Sequence, residues 1–419
     1  MRILFVSSQY PPYELGGYEQ LCHEVTRELL ARGHAVSVLT SRYGVKSEEE
    51  TRSGNVTRTL RLMADLHYYK PLNFFFKLPR QEKENLAELK NAIDVFKPDV
   101  VMFWGMFAMS HNLPYWAEQW IPGRVTYYMA SYWPTDEDLH LAYWKSPANR
   151  RVTEWFKRFL RAFALSRLKR QGYPPRLKFD HVICCSDYVR DTLVNAGKFP
   201  PSASVVYAGA DPAPFRQLAQ KKKSAKRGQT TRLLYFGRLV PDKGVHTAIE
   251  ALGLLAQKGF ADRVELTILG DGHPEYKKYL QQRVEELGIE RIVRFSGKVA
   301  REEIPAVLNE YDVFLFTSTW PEPFGRTIIE AMMAGLVVIG SNVGGSREVF
   351  RHYDRKMLFE PEDAQGLADR ITRLLSDPEL GRRLVDVGRK LASERFTIQQ
   401  MTNGIEVFLK KIGPAGYAG

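Results

Sequence analysis

Short apolar runs alternate with segments of helical period along the whole chain. In the first half the runs fall at 3–6, 35–40, 100–104, 125–129 and 182–186. In the second half they recur at 233–237, 264–270, 293–297, 313–317 and 337–340. Runs this short and this continuously apolar read as strands covered on both faces, and the helix-period segments between them supply the covers. The pattern predicts two doubly wound α/β domains with parallel sheets. Between them, two prolines at Pro212 and Pro214 precede the basic polar run from Lys221 to Arg227, which reads as a linker followed by a solvated connection. No period of 20–50 residues recurs, which argues against a solenoid.

A length of 419 residues fits two domains of roughly 100–200 residues each. With 44% hydrophobic and 26% charged residues, the chain has the composition of an ordinary protein with sizeable cores. The formal net charge of +12 favours anionic partners: nucleotides, anionic lipid headgroups, acidic glycans or nucleic acid. Nucleic acid is the weakest of these, because no recognisable binding module accompanies the charge. Cys22, Cys184 and Cys185 are too few for a disulfide framework and suit a reducing compartment. No apolar run reaches the roughly 18 residues of a spanning helix, and residues 1–8 read as a first strand rather than a signal peptide. The expected location is cytoplasmic, with any membrane contact peripheral.

The chemistry concentrates at 319–348. Glu322 falls in a loop after one strand, and Glu330 about one turn into the helix that follows. Unpaired N–H groups at such a helix start attract anions, but two carboxylates beside them would repel a phosphate. They fit better as acceptors for hydroxyls, such as those of a ribose and a sugar; the bland alternative is two solvated charges. Earlier, Arg238 and Lys243 share the loop after residues 233–237, where two cations can clamp a diphosphate or simply be a helix-end partner and a solvated lysine. Gly270 and Gly297 end strands and line the same kind of crevice. Gly16 and Gly17 stand between the first strand and a helix running to about Arg32, where a ligand can approach the backbone closely or where the chain merely turns. His34 closes that helix. Asp271 and His273 suggest a metal, but no third ligand sits at suitable spacing, so no metal site is expected.

These residues resemble family 4 of the retaining glycosyltransferases. The similarity spans nearly the whole chain and rests on Gly16-Gly-Tyr-Glu19, Phe236-Gly-Arg-Leu with Lys243-Gly, Leu269-Gly-Asp-Gly, Glu322-Pro-Phe-Gly-Arg-Thr-Ile-Ile-Glu330 and Val343-Gly-Gly-Ser-Arg-Glu348. The resemblance implies the GT-B fold: two facing Rossmann-like domains with an interdomain cleft. Applied here it gives an acceptor domain over 1–207, a nucleotide-sugar domain over 208–395, and a last segment over 396–419 whose helix crosses back. It further implies that Arg238 and Lys243 hold the donor diphosphate, that Glu330 accepts from the ribose and that Glu322 contacts the transferred sugar. Main-chain groups from Phe324 through Gly325 and Arg326 to Thr327 complete those contacts. Gly270 borders the site, Lys298 and Val299 read the base edge, and Gly16 and Gly17 close over phosphate and acceptor. The implied donor is a UDP- or GDP-sugar, with no cofactor and no metal, and transfer is front-face with retention. The chain departs from the family at Ala130, where a histidine is usual, at Ser131, where an aspartate is common, and at Ala208 in place of asparagine. The triplet Asp136-Glu-Asp138 is similar to a metal motif of another glycosyltransferase class but reads as a solvated loop. His111 and His140 lie nearby in sequence without a reason to promote either.

Residues 150–170 form a basic amphipathic helix. Val152, Trp155, Phe156, Phe159, Leu160 and Phe163 keep helical spacing, with Lys157, Arg158 and Arg161 mainly opposite. The segment 68–77 adds an aromatic and basic cluster. Either the stripe enters an anionic membrane surface, or it faces the core and leaves a solvated basic face. The expected activity is hexosyl transfer to a glycan or lipid-linked acceptor. A nucleotide-sugar epimerase or hydrolase, or a silent nucleotide-sugar-binding partner, remains as an alternative.

Overall fold

The computed structural model describes residues 1–13, 16–64, 69–148, 151–219 and 230–413. The basic run 221–227, Tyr68, Arg150 and the side chain of Val152 lie outside the described residues. The chain divides into two compact units: Met1–Cys185, Val189–Val206 and Thr402–Gly419 form one, and Ser186–Tyr188 with Tyr207–Met401 the other.

The first unit is built on an eight-stranded sheet: β1 (Arg2–Ser7), β2 (Ala35–Ser41), β3 (Arg52–Ser53), β4 (Val56–Leu60), β5 (Val100–Phe103), β6 (Val125–Met129), β7 (Val182–Cys184) and β8 (Ser204–Val205). Its order is β3-β4-β2-β1-β5-β6-β7-β8, parallel except for β3 against β4. Ile3, Leu4, Phe5 and Val6 are buried, as a strand covered on both faces demands. The apolar-run reading missed β3, β4 and β8. Two of these have only two residues, and β4 alternates Val56, Arg58 and Leu60 inward with threonines between, so it carries no continuous apolar run. Arg58 is tolerated inside because its guanidinium donates to the Pro11 carbonyl at 2.7 Å and lies over the Tyr13 ring. All three cysteines are buried free thiols.

A satellite core joins Met63, Phe74 and Leu78 to Trp144, Ala164 and Leu168. It orients helix Arg151–Arg170, and the outcome differs from a core-facing aromatic stripe. Ala164 and Leu168 turn inward, while Trp155 is 80% exposed and Phe159 73%, with Phe156 and Phe163 exposed beside them. Lys157, expected on the solvated face, is buried: its Nζ donates to Ser146 Oγ and the Pro147 carbonyl, both at 3.2 Å, and sits 4.0 Å above the Tyr143 ring. Among the described residues, no helix is long and apolar enough to cross a membrane.

The second unit carries a six-stranded, all-parallel sheet: β9 (Thr231–Phe236), β10 (Val264–Leu269), β11 (Val293–Gly297), β12 (Val313–Phe316), β13 (Val337–Ser341) and β14 (Leu358–Phe359). The order is β11-β10-β9-β12-β13-β14. The winding therefore reverses between β9 and β12. In an open α/β sheet the connections leaving the carboxyl ends of two such strands diverge to opposite faces and leave a crevice.

Candidate active site

The loops leaving β9 and β12 carry the candidate residues into that crevice. After β9 come Gly237, Arg238 and a short 3-10 turn, Pro241–Lys243, before helix Val245–Gln257. After β12 the chain forms the loop 317–325 and enters helix Arg326–Ala334 at Gly325. Threonine and serine hydroxyls tie the two loops together. Thr317 Oγ1 donates to the Lys243 carbonyl at 2.8 Å, and Ser318 Oγ lies 3.0 Å from the Asp242 carbonyl and 2.9 Å from Glu322 Oε1. Lys243 Nζ closes the same junction with an ion pair to Glu322 Oε1. Glu322 thus spends one oxygen on Lys243 and Ser318, while Oε2 makes no hydrogen bond among the described residues. Arg238, exposed at the end of β9, makes no side-chain hydrogen bond or ion pair among the described residues.

The 317–325 loop is held from beneath by the Val343-Gly-Gly segment. Gly345 N–H donates to the Glu322 carbonyl at 2.7 Å, and a Cβ on Gly344 would overlap the Glu322 backbone. Phe324 is core rather than site: its side chain is buried between Tyr207 and Phe396, with both ring centroids at 5.5 Å. Only its main chain is left for a ligand. Glu348, the last residue of that motif, is buried and accepts the N–H groups of Asp187 and Tyr188 at 3.1 and 2.7 Å. Burial pushes its carboxyl up, against those hydrogen bonds. Gly270 sits at φ +143°, and a Cβ there would overlap the Gly237 carbonyl, so the ends of β9 and β10 meet backbone to backbone. Gly270 N–H also donates to the Gly297 carbonyl at 2.7 Å, which brings the Lys298–Val299 turn to the same end of the sheet.

Glu330 is 1% exposed and lies under two guanidinium groups. Arg326 Nε approaches its Oε1 at 3.2 Å; Arg301 holds both oxygens, Nη1 reaching Oε2 at 3.1 Å. Burial alone would raise this carboxyl, but Arg301 and Arg326 outweigh it and hold the acid below its usual range. The two Arg301 N–H donors, with Arg326 beside them as an ion-pair partner, leave part of the carboxylate's lone-pair capacity for a hydroxyl. Arg301 was not among the expected residues. It sits just past Lys298 and Val299, and only the fold brings it to a carboxylate 29 positions away.

This clamp has a pH signature. Because the folded acid is depressed, its stabilising contribution is present above its unfolded value of about 4.5 and is lost as pH falls through the folded value. Arg301→Ala is expected to lower the thermal midpoint at neutral pH by the equivalent of about 1 kcal/mol, a small figure because Arg301 is partly exposed. The difference from wild type should narrow as pH drops below the unfolded value and through the lower folded one. A difference that stays constant or widens in acid would show that Arg301 acts on something other than Glu330.

In the first unit, Gly16 precedes and Gly17 begins helix Gly17–Ala31, off the carboxyl end of β1. A Cβ at Gly17 would meet nothing, one at Gly16 only the Glu19 carboxylate at 3.9 Å, and Gly16 is extended, so neither packing nor backbone conformation demands glycine. His34 sits between the N-terminus and Glu406, partners remote in sequence rather than local ones. Ala130 follows β6 directly. Asp138 is not a solvating loop residue: it is buried, accepts His140 N–H at 2.9 Å and takes the Tyr173 hydroxyl at 2.8 Å. His140 is buried as well, its Nδ1 2.7 Å from the Tyr69 hydroxyl. Asp271 pairs with Lys277 at 3.4 Å, and among the described residues no group of three or more His, Cys, Asp or Glu gathers as a metal set.

Comparison with known proteins matches these features. The family model "Glycosyltransferase Family 4" covers residues 15–213 and "Glycosyl transferases group 1" covers 217–391. Glycogen synthase of Mycobacterium tuberculosis is 27% identical over 98% of this chain and 94% of its own. A GDP-mannose-dependent α-(1-6)-phosphatidylinositol monomannoside mannosyltransferase of the same species is 28% identical over 55% of this chain and 62% of its own. Among solved structures, Anabaena HepE in complex with UDP aligns at a TM-score of 0.70 with 22% identity, covering 98% of this chain and 100% of that one. Sucrose-phosphate synthase from Thermosynechococcus elongatus aligns at 0.71 with 19% identity over 98% of each. With two parallel-sheet units of GT-B type and both family models in sequence along it, the chain belongs to the family 4 glycosyltransferases.

Proposed function

We propose that the protein is a retaining, metal-independent hexosyltransferase that uses a UDP- or GDP-sugar and a glycan or lipid-linked acceptor, in cell-surface polysaccharide or glycolipid synthesis. The observation that carries this reading is the Lys243–Glu322 ion pair joining the two loops at the β9/β12 switch point, with Arg238 exposed on the loop that leaves β9. The donor class is supported by similar proteins: HepE has been solved with UDP-glucose, and the mannosyltransferase is named for GDP-mannose.

In this reading the departing group is a nucleoside diphosphate, and stabilising its charge is the main task. The diphosphate competes with Glu322 for Lys243, takes Arg238 by a guanidinium fork, and meets the N–H groups at the start of helix Arg326–Ala334. Glu322, relieved of the lysine, accepts from the sugar hydroxyls. Glu330 accepts from the ribose, and the turn at Lys298 and Val299 faces the base. The bond from the anomeric carbon to the diphosphate oxygen breaks as the acceptor oxygen bonds on the same face, and the acceptor proton passes to the departing phosphate. Proton NMR of the product, taken before mutarotation, should show the donor's anomeric configuration, and excess chelator should change turnover by less than about twofold. An inverted product or abolition by chelator, restored by a divalent ion, would overturn these two claims separately.

The acceptor side points to an anionic bilayer, at whose cytoplasmic face we place the protein. Trp155, Phe156, Phe159 and Phe163 are exposed on one helix, and Phe163 is in ring contact with Phe75, whose helix Pro71–Phe76 exposes Leu72 and Phe76. Lys70 and Lys77 flank helix Pro71–Phe76 in sequence, Arg158 and Lys169 lie on helix Arg151–Arg170, and all four are exposed. Aromatic rings at headgroup depth with cations at the rim are the chemistry of an interfacial helix. Co-sedimentation with vesicles containing phosphatidylglycerol should fall at least about tenfold in Trp155→Ser/Phe159→Ser, while neutral phosphatidylcholine vesicles bind the wild type weakly. Equal binding by wild type and variant would exclude this face as the contact.

A further inference from the structure

A groove of about 1310 Å³ lies within the first unit, apart from the residues assigned above. It is walled by the segment after β6 (Trp133 to Asp138), by His111 from the segment after β5, and by the stretch around Arg176 and Phe179 that leads into β7. The volume exceeds the roughly 300–1,000 Å³ of most small-molecule sites. Its floor is fixed rather than loose. The buried Asp138 holds the Tyr173 hydroxyl, and the His111 ring stacks over Tyr173 at 6.5 Å and tilts against Trp133 at 5.1 Å. Trp133 is backed in turn by Phe179 at 5.7 Å.

Three polar groups in this frame make no use of the protein around them. Trp133 Nε1 is buried and has no hydrogen-bond partner. The His111 ring nitrogens and the Asp136 carboxylate make no hydrogen bond or ion pair among the described residues, although both side chains line the groove. Burial lowers the His111 imidazole, favouring the neutral ring with one donor and one acceptor, and raises the Asp136 carboxyl. A buried donor without a partner costs about 1–3 kcal/mol, so the unpaired Trp133 N–H between aromatic faces is poorly explained by packing alone, and the half-buried His111 ring and the exposed Asp136 carboxylate stand open beside it.

The ligand chemistry follows from what the groove offers. Asp136, Glu137, Asp138 and Asp180 face Arg176, Lys178 and Lys198 around it, so no single sign of charge prevails and a phosphate gains little. A purely apolar guest would leave the Trp133 N–H, the imidazole and the carboxylate unsatisfied. A pyranose has an apolar C–H face to lay on an aromatic ring and hydroxyls that both give and accept hydrogen bonds. We propose that this groove binds a neutral saccharide unit of the acceptor glycan, with Trp133 as the stacking face and the Trp133 N–H, His111 and Asp136 as hydroxyl partners. The acceptor assignment rests on the transferase reading; the saccharide assignment does not, and the two fail separately.

The test uses the full-length protein without donor. Isothermal titration with α-linked gluco- and manno-trisaccharides and a β-linked galacto-trisaccharide should show binding of at least one at millimolar concentration or below. His111→Ala and Asp136→Asn should each weaken it at least about fivefold, and Trp133→Phe, which keeps the ring and removes the N–H, should weaken it less. UDP or GDP affinity, titrated in parallel, should stay within about twofold and serves as the folding control. In turnover, His111→Ala should raise the acceptor KM and leave the donor KM unchanged. No saccharide bound by the wild type up to about 10 mM, or binding unchanged in both His111→Ala and Asp136→Asn, overturns the site. Saccharide binding that depends on these residues, in a protein that turns over no donor, would leave the groove standing and remove the transferase reading.

Discussion

Lys243→Ala is expected to reduce kcat/KM for the nucleotide-sugar donor by about 10²–10³, with most of the loss in kcat. The lysine stands where β9 and β12 diverge, is held by its carbonyl to Thr317, and needs only to exchange its Glu322 partner for a phosphate oxygen. A cation placed in advance at a developing diphosphate charge acts mainly in the transition state, which is why kcat rather than ground-state affinity carries the effect. The fold should survive with some loss of stability, because Glu322 is buried and loses its cation while Ser318 still donates to it. Arginine at 243 should restore only part of the rate: the charge returns, but a planar fork does not replace a point charge in a turn this tight. A Lys243→Ala enzyme within about fivefold of wild type would mean that Arg238 and the helix start suffice alone.

Glu330→Ala should be strongly destabilising for a change at a charged residue. It leaves Arg301 and Arg326 facing each other with their shared carboxylate removed, and Arg326 is only 13% exposed. Breaking a buried pair from one side costs about 3–5 kcal/mol; Arg301 can turn toward solvent, so about 2–4 kcal/mol is expected here, together with a loss of nucleotide affinity. The cause can be separated from a simple cavity by a double-mutant cycle. If the cost is an uncompensated cation, Arg301→Ala added to Glu330→Ala should be nearly neutral or recover stability, whereas the same change in the wild type is destabilising. Strictly additive losses in urea unfolding would assign the effect to packing instead.

How far the sequence reaches can be seen at these same residues. Buried parallel strands declare themselves, since a strand covered on both faces must be apolar throughout; β1, β6 and β13 sit where the apolar runs do. The half-polar β4 does not, because its inward positions alternate and one of them is an arginine. Glu322 and Glu330 were legible as a pair bracketing a helix start. Their partners were not: Lys243 is 79 positions from Glu322 and Arg301 is 29 from Glu330, separations that only the strand order closes. Asp138 and Lys157 show a different limit. Both are charged residues in polar-looking stretches, and both are buried because a local cap, a tyrosine hydroxyl or a tyrosine face replaces water. Composition favours the surface for such residues, and specific hydrogen bonds override it. The aromatic positions of helix Arg151–Arg170 point outward for the complementary reason: the satellite core is already filled from Phe74, Trp144 and Leu168.

The most direct measurement is release of nucleoside diphosphate by the purified protein from a panel of UDP-, GDP-, ADP- and dTDP-sugars, with and without a total lipid and glycan extract. Glu322→Ala serves as the control. One UDP- or GDP-sugar should be consumed, faster with the extract, with turnover at least about a hundredfold lower in the variant. A protein that binds one of these donors yet releases no diphosphate under any of the conditions would contradict the account and leave a nucleotide-sugar-binding partner in its place.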